Sequence, residues 1–247
     1  MTIQPDLSWQ LSKCRVCESP VKPLLDLGIS PIANHLLSHA DESAPAYPLG
    51  LCECPNCGLV QNSTLLATKE LFGESYPYLS STSSAVRAHF ADLAKELAAV
   101  KGAGTRALEI GSNDGTLQLA LKDEGVHCVG VDPATPAVEL ALKAGCESYN
   151  MAFDEVAAEH LLGRVEPVDI AVMCNVIAHV PQPGKVLGLA AQFLKPGGVL
   201  VAEAQSWEAL ASQAAFDMVY HEHHSHYSAA SFTAMANRAG LGVTRID

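Results

Sequence analysis

The stretch Arg106-Ala-Leu-Glu-Ile-Gly-Ser-Asn-Asp-Gly115 decides the fold. A short apolar run ends in a glycine-containing loop, and an apolar pattern with helical spacing follows over residues 117–123. A buried strand that passes through a tight glycine turn into a helix is typical of the first unit of a doubly wound α/β domain. The sequence therefore predicts a strand that begins near Arg106 and a ligand-binding turn at its carboxyl end.

Strand and helix patterns alternate along the rest of the chain. Apolar runs predict strands over 106–110, 128–131, 147–151, 168–174, 199–202 and 242–246. Helical spacing predicts helices over 85–100, 117–123, 137–144, 153–162, 185–194 and 229–239, and Pro196-Gly-Gly predicts a turn. The predicted fold class is therefore α/β, a mainly parallel, Rossmann-like sheet covered by helices on both faces.

Composition restricts the classes of protein and partner. The 247 residues are 49% hydrophobic and 17% charged, which suits one α/β domain with a small additional module. Charged or polar residues interrupt every run that could form a membrane span, and the first residues lack a signal-peptide pattern, so we expect a cytoplasmic protein. The formal net charge of -12 argues against a nucleic-acid backbone as partner.

The cysteines near the amino terminus form a double CxxC pattern, Cys14-x-x-Cys17 and Cys54-x-x-Cys57. Each turn brings two thiolates to one side of a tight loop, and two such turns complete a tetrahedral Zn²⁺ site. The pattern predicts a structural zinc ion with four cysteine ligands and no open position for chemistry. A redox role is the alternative, but no thioredoxin-like pattern surrounds either pair. Cys52 could also replace Cys54 as a ligand.

The predicted domain organisation has three parts. Residues 11–65 are rich in proline and loop-forming residues and contain the double CxxC pattern, so they form the predicted zinc-binding module. Residues 66–84 form a polar bridge, and residues 85–247 carry the strand and helix alternation.

The loop Glu109-Ile-Gly111-Ser-Asn-Asp-Gly115 predicts a cofactor site. Its spacing differs from the Gly-x-Gly-x-x-Gly of dinucleotide sites, and its polar centre suits the amino and carboxylate groups of an amino acid. Asp132 ends the second predicted strand, where an acid can accept both ribose hydroxyls, and Asn175 follows the fourth. These features favour S-adenosylmethionine (SAM) over NAD, with candidate binding residues Glu109, Gly111, Asn113, Asp114, Gly115, Asp132 and Asn175.

The run Tyr220-His-Glu-His-His-Ser-His-Tyr227 concentrates groups that transfer protons near neutral pH. One interpretation is a general base, His221 or His223, that Glu222 and Tyr220 orient. A carboxylate beside an imidazole raises the pKa of the ring and selects its tautomer.

Two other interpretations of this run remain open. His221 and His223 have the His-x-His spacing of a metal-binding pair, although the His-Glu-x-x-His spacing of zincins is absent. We expect His224 and His226 to face solvent or to form hydrogen bonds within a loop.

The whole chain resembles the nucleotide-sugar C-methyltransferases, a family that includes enzymes acting at C-3 of dTDP-4-keto-deoxysugars. The resemblance rests on Cys14-Arg-Val-Cys17, residues 25–34, Cys54-Pro-Asn-Cys57-Gly-Leu-Val-Gln61, Tyr76-Pro-Tyr78-Leu-Ser-Ser, Glu109-Ile-Gly-Ser-Asn-Asp-Gly115, Gly130-Val-Asp-Pro133, Asn175-Val-Ile-Ala-His179-Val-Pro and Tyr220-His-Glu-His223.

The resemblance implies a role for each matching position. His223 is the implied general base, with Tyr220 and Glu222 assisting it, and His179 and Tyr76 or Tyr78 line the sugar pocket. Proton removal beside the 4-ketone of a nucleotide-linked sugar would give an enolate, which takes the methyl group of SAM.

The chain departs from this family at its carboxyl end. Family members carry a third, C-terminal α/β domain, and their methyltransferase sheet has a seventh, antiparallel strand, for which residue 247 leaves no room. We therefore expect a truncated chain. An O- or N-methyltransferase of similar fold and a non-catalytic binding protein are the alternative functions.

Overall fold

The computed structural model describes residues 12–39, 41–72, 76–101 and 104–247. Positions 11, 40, 73–75 and 102–103 of the predicted domain ranges lie outside these described residues. The chain divides into two compact units. The first unit takes Met1–Leu71, Ile177–Leu187 and Ala204–Asp247, and the second takes Phe72–Val176 and Gly188–Glu203. The carboxyl-terminal residues therefore group with the cysteine-rich residues, whereas the sequence predicted that they belong with 85–203.

The described residues form nine strands and eight α-helices. The strands are β1 Lys22–Pro31, β2 Ala46–Glu53, β3 Val60–Asn62, β4 Arg106–Ile110, β5 His127–Asp132, β6 Glu147–Asn150, β7 Val168–Cys174, β8 Leu194–Glu203 and β9 Ser225–His226. The helices are α1 Thr68–Leu71, α2 Ser84–Lys101, α3 Thr116–Asp123, α4 Thr135–Lys143, α5 Glu155–Leu161, α6 Pro183–Ala191, α7 Trp207–Ser212 and α8 Ala229–Arg238. Short 3₁₀ turns lie at Ser80–Thr82 and Phe216–Met218.

The second unit contains the predicted parallel sheet, in the order β6-β5-β4-β7-β8. β4 lies at its centre, and Glu109 pairs with Gly130 on one side and with Val172 on the other. Because all five strands run the same way, their carboxyl ends meet at one edge of the sheet, where ligands bind in such folds. The predicted α/β fold class is confirmed.

The core of the second unit forms where α2 and α3 cover the sheet. Phe90, Ala94 and Leu97 recur at helical spacing on α2 and pack with Leu117 and Leu121 of α3. The predicted helix over 85–100 is confirmed as α2. Its apolar stripe is buried against the sheet, as the spacing of the apolar residues predicted.

Two sequence predictions, one in each unit, differ from the structure. The predicted turn at 196–198 lies within β8. The pairing with β7 is irregular there, because Val168 pairs with Leu194 whereas Ile170 pairs with Val199. The predicted strand over 242–246 is wrong, since those residues form no ladder. A β-branched run becomes a strand only where a neighbouring strand supplies hydrogen bonds and packing.

The first unit contains an antiparallel sheet, in the order β1-β2-β3-β9, that the sequence did not predict. Its pattern is weak because β1 is exposed along most of its length and is interrupted by register shifts. β3 pairs with β9 through Val60 with His226 and Gln61 with Ser225, so part of the histidine-rich run lies in this sheet. Leu49, Leu51, Val60 and Val219 form its apolar core.

Among the described residues, no helix combines the length and the apolar character that a membrane span requires.

Candidate active site and zinc site

The sulfur atoms of Cys14, Cys17, Cys54 and Cys57 all lie within 4.8 Å of one another. The Sγ atoms of Cys14 and Cys57 are 3.5 Å apart, and those of Cys17 and Cys54 are 3.4 Å apart. Four ligands at about 2.3 Å around a tetrahedral ion would be about 3.8 Å apart, so this cluster fits Zn²⁺ with only a small expansion. Cys52 is outside the cluster, which answers the question that the sequence left open.

Backbone hydrogen bonds shape the two cysteine turns. The amide of Glu18 donates to the carbonyl of Cys14, and the amide of Gly58 donates to that of Cys54. The amide of Val16 also points at the Cys14 Sγ atom, at 3.4 Å. An N–H donor stabilises a thiolate, so the turns are suited to metal binding.

The glycine loop of the second unit requires glycine at both ends. Gly111 has φ 75° and Gly115 has φ 80°. A Cβ atom on Gly111 would lie 2.2 Å from Val176 Cγ2, and one on Gly115 would lie 2.7 Å from Cys146 Sγ. The sequence predicted that these glycines leave space for a ligand. In the described residues, neighbouring side chains occupy the place of each missing Cβ atom, so close packing within the protein also requires glycine at both positions.

Two carboxyl groups meet beneath this loop. Asp132 accepts hydrogen bonds from the amides of Asn113 at 2.9 Å and Ala134 at 2.7 Å. Burial raises the pKa of Asp132, and these two bonds partly offset that rise. Burial, with Asp132 and Asp114 nearby, raises the pKa of Glu109 well above its ordinary value. The Oε2 atom of Glu109 is buried and has no hydrogen-bond partner among the described residues.

Asn113 and Asp114 hold a neighbouring backbone segment. The amide of Ser80 donates to Asn113 Oδ1, and that of Ser81 donates to Asp114 Oδ2, both at 2.9 Å. Asn113 Nδ2 donates to the carbonyl of Tyr78 at 3.1 Å. The sequence predicted ligand contacts for these side chains, and the structure shows that they also fix the segment that carries the two candidate pocket tyrosines.

The remaining candidates of the second unit are two tyrosines in the segment before α2 and an asparagine directly after β7. Tyr76 is half-buried and Tyr78 is exposed, and their ring centroids are 6.5 Å apart. Asn175 is exposed directly after β7, with φ 55°, and its amide donates to the carbonyl of Glu203 at 3.0 Å.

In the first unit, hydrogen bonds on both ring nitrogens orient His223. Its Nδ1 atom is 2.8 Å from the carbonyl of Met218, and its Nε2 atom is 2.9 Å from the Tyr220 hydroxyl. A carbonyl only accepts, so Nδ1 carries the proton, and in the neutral ring Nε2 is the basic nitrogen. Burial lowers the pKa of His223, which favours the neutral ring.

His179 lies beside His223, with ring centroids 4.8 Å apart. Its Nδ1 atom donates to the backbone carbonyl of Glu222 at 2.9 Å, so His179 is also bound to the loop that carries His223. Burial and the nearby His223 lower the pKa of His179 to about 3.

The carboxylate of Glu222 does not pair with an imidazole through any bond in the described residues. It accepts two hydrogen bonds from Asn34 Nδ2, at 2.9 and 2.7 Å. The expected rise in the pKa of His223 through a neighbouring carboxylate is therefore not observed. Asn34 was missed as a contributor, and its only sequence signal was its position in the 25–34 stretch that carries the family resemblance.

The other histidines of the run are buried. His224 and His226 are almost fully enclosed, so the expectation of solvent exposure is wrong. The alternative expectation of hydrogen bonds within the loop is also not met by the His224 ring, because neither of its nitrogens has a partner among the described residues. The His221 Nε2 atom is 3.3 Å from the carbonyl of Pro48. Within the described part of the chain, the four cysteines form the one group of three or more potential metal ligands, which disfavours a histidine metal site.

These features define a class: a Rossmann-like α/β methyltransferase fold with a four-cysteine zinc-binding module. The family model of a methyltransferase domain matches residues 83–246, and that of a zinc binding domain matches residues 14–72. The chain therefore belongs to the methyltransferase domain family.

Relatives of known function match different parts of the chain. The C-methyltransferase NovU of Streptomyces niveus is 27% identical over 252 aligned residues, which cover 98% of this chain and 58% of the relative. The ubiquinone biosynthesis O-methyltransferase of Burkholderia orbicola (strain MC0-3) is 34% identical over 99 residues, 39% of this chain and 42% of the relative. The chain thus spans less than two thirds of either relative.

Solved structures support the fold alone. A SAM-dependent methyltransferase from Archaeoglobus fulgidus superposes with a TM-score of 0.51 at 20% identity, over 62% of this chain and 67% of that one. The mitomycin 7-O-methyltransferase MmcR also gives 0.51, at 18% identity, over 67% of this chain and 50% of that one.

Proposed function

We propose that this chain is a SAM-dependent C-methyltransferase that acts beside a ketone on a nucleotide-linked deoxysugar. The observation that carries the proposal is the hydrogen-bonded pair of Tyr220 and His223, which presents a basic imidazole nitrogen next to a hydroxyl donor. The similarity to a C-methyltransferase along nearly the whole chain supports the same activity.

The proton chemistry follows from the orientation of His223. A hydrogen on the carbon beside a ketone is acidic, and a neutral imidazole can remove it. The Tyr220 hydroxyl first turns its proton from His223 Nε2 to the ketone oxygen, which leaves the Nε2 lone pair free to take the proton from carbon. Nδ1–H stays bound to Met218, so the imidazolium that forms is still oriented by the backbone. The electron pair of the broken C–H bond moves onto the ketone oxygen as an enolate, and His223 later releases its proton to solvent.

Tyr220 and His179 supply the groups that an enolate needs. The Tyr220 hydroxyl is a donor 2.9 Å from the base, so it can stabilise negative charge on the ketone oxygen next to the carbon that loses its proton. His179 and Tyr76 are proposed to line the sugar pocket, and Glu222 acts through the loop that Asn34 holds.

The cofactor is proposed to bind at the glycine loop of the second unit. SAM supplies a methyl group on a positively charged sulfur, which a carbon nucleophile accepts as S-adenosylhomocysteine leaves. The side chain of Asp132 keeps lone pairs for the ribose hydroxyls, because each carboxylate oxygen can accept more than one hydrogen bond. Glu109, Gly111, Asn113, Asp114, Gly115 and Asn175 are the other proposed contacts.

The organisation of the chain is also part of the proposal. Residues 11–65 hold the structural zinc ion through Cys14, Cys17, Cys54 and Cys57, 66–84 form the bridge, and 85–247 form the methyltransferase domain. Thiolate ligands that stay reduced are consistent with a cytoplasmic enzyme.

The test is deuterium exchange at the carbon beside the ketone of a dTDP-4-keto-deoxysugar in heavy water. We expect exchange with the unaltered chain, and a loss of exchange and of methyl transfer by about 10²–10⁴-fold in His223→Gln. His160→Gln, an exposed histidine of α5, is the control. Turnover that persists in His223→Gln would remove His223 as the base.

A second candidate function is O- or N-methylation of another small molecule. The match to the ubiquinone biosynthesis O-methyltransferase over part of the chain favours it. Transfer to oxygen or nitrogen needs no carbanion, so methylation of an acceptor without any exchange at carbon would support this alternative.

A further inference from the structure

The Arg15 side chain connects the cysteine cluster to the histidine-rich run within the first unit. Arg15 lies inside the first CxxC turn, between Cys14 and Cys17. Its Nη1 atom donates to the carbonyl of His224, and its Nη2 atom donates to that of Asn62 at 3.1 Å. One planar guanidinium thus holds two backbone segments that are far apart in sequence, which a lysine could not do with the same geometry.

Gln61 and Asn62 on β3 add four more hydrogen bonds to this connection. Gln61 accepts from the amide of Arg15 at 2.9 Å and donates to the carbonyl of Lys13 at 3.0 Å. The Asn62 amide donates to the carbonyl of His224 at 3.0 Å, and its Nδ2 atom donates to that of Tyr220 at 2.8 Å. Both side chains are fully buried, so water cannot replace these bonds.

The bonds act at both ends of the turn that carries His223. The carbonyl of Tyr220 accepts from Asn62 and also from the His223 amide, at 3.1 Å, so it is fixed within the backbone turn that joins the two residues. The carbonyl of His224, directly after His223, is held by Arg15 and by the Asn62 amide.

We propose that Arg15 and Asn62 are positioning residues, through which the zinc-bound cysteine turn holds the Tyr220–His223 pair in its reactive geometry. The inference rests on the proposed function of that pair. It gives the zinc module a part in the reaction beyond holding its own fold, because a displaced CxxC turn would move Arg15 and remove one of the two hydrogen bonds that hold the carbonyl of His224.

Hydrogen–deuterium exchange of the backbone, measured by mass spectrometry on the whole chain with zinc bound, tests the connection without substrate. We expect Arg15→Met to keep its zinc, measured by metal analysis, and to exchange about tenfold faster in peptides from residues 219–227. Peptides from 106–132 should be unchanged. Arg164→Met is the matched control, because the Arg164 guanidinium also donates to a backbone carbonyl, that of His160, but is exposed.

Asn62→Asp provides an independent variant away from the cysteines. It keeps the size and the backbone amide but replaces the donor to Tyr220 with an acceptor. We expect the same faster exchange over 219–227, and a kcat about tenfold lower with KM for SAM and for the sugar nucleotide within about twofold.

The outcomes separate this inference from the proposed function. Unaltered exchange over 219–227 in both variants would overturn the positioning role, whatever the reaction. If Arg15→Met loses zinc or unfolds, Asn62→Asp decides: exchange and kcat like those of the unaltered chain would sink the inference. If the unaltered chain incorporates no deuterium at the sugar carbon, the proposed base is refuted. The backbone amide exchange of the two variants would still show whether Arg15 and Asn62 hold the segment 219–227.

Discussion

Among the glycines that the structure describes, Gly111 combines a left-handed backbone with the shortest distance from a missing Cβ to a neighbouring atom. Its φ of 75° disfavours any residue with a Cβ atom, and the Cγ2 atom of Val176 lies where that Cβ would be placed. Valine is stiff about its first side-chain bond, so it cannot easily turn away.

We expect Gly111→Ala to be more destabilising than an alanine at another left-handed glycine. Gly163 has φ 84° and open space around its missing Cβ, so Gly163→Ala measures the backbone cost alone, about 1–2 kcal/mol. Gly111→Ala should cost a further ~1–3 kcal/mol from overpacking, measured by chemical denaturation. Combining it with Val176→Ala should recover part of that extra cost. If Gly111→Ala and Gly163→Ala lower the free energy of unfolding equally, the contact with Val176 does not contribute to the cost.

The 3₁₀ turn Ser80–Thr82 is an element that depends on side chains from another element. Its first two amides donate to Asn113 and Asp114 of the glycine loop, and Ser80 and both acceptor residues are buried. The turn has no side-chain cap of its own, so these bonds satisfy amides that would otherwise have no partner.

We expect Asn113→Ala to loosen the segment before α2. The change removes the acceptor for the Ser80 amide and the donor to Tyr78, so amide exchange over 76–83 should rise about tenfold. Asp123→Ala, at an exposed position at the end of α3, is the control and should leave that exchange unchanged. A segment that exchanges no faster in Asn113→Ala would mean that the turn is held by other contacts.

At the scale of the whole molecule, the first unit encloses four buried histidines, His221, His223, His224 and His226, and the half-buried His179. Burial lowers the pKa of His179, His221, His223, His224 and His226, and the value for His224 falls to about 2, with Arg15 adding to the effect. A histidine that is neutral when folded and protonated when unfolded makes stability rise with pH. Its contribution is complete above about pH 6.5 and declines as the pH falls below that value. The raised pKa of Glu222 acts in the opposite direction.

We expect His224→Leu to weaken the pH dependence of stability. Between about pH 6 and pH 4 the slope of the unfolding free energy should decrease by about 1.4 kcal/mol per pH unit, because one buried imidazole no longer needs to lose a proton on folding. Chemical denaturation at several pH values measures the slope. His160→Leu, on the surface of α5, should not change it, and a His224→Leu slope equal to that of the unaltered chain would contradict the assignment.

The parts that could be predicted depend on local patterns. The β4–glycine loop–α3 unit, the helix α2 and the parallel sheet follow from apolar spacing over a few residues, and the cysteine cluster follows from two CxxC turns. The antiparallel sheet of the first unit was not predicted, because β1 is exposed and irregular. It therefore lacks the alternation of apolar and polar residues that marks a half-buried strand.

The sequence offers the candidate site as a set of residues but does not reveal the contacts between them. The run around His223 was recognisable because its proton-transferring groups are adjacent in the chain. The partners that orient it are distant: Asn34 binds Glu222, and Asn62 binds Tyr220. Asparagine and arginine are common surface residues, and nothing in their local sequence distinguishes one that will be buried against a distant carbonyl.

By itself, the sequence determined the α/β alternation, the cysteine ligands and the chemical character of the histidine-rich run, because each depends on residues that are neighbours along the chain. Only the tertiary structure decided that Glu222 contacts Asn34, that His223 bears its proton on Nδ1, and that Arg15 reaches the carbonyl of His224. These outcomes depend on hydrogen bonds between segments separated by many residues, and such bonds form only after packing has excluded water from both partners.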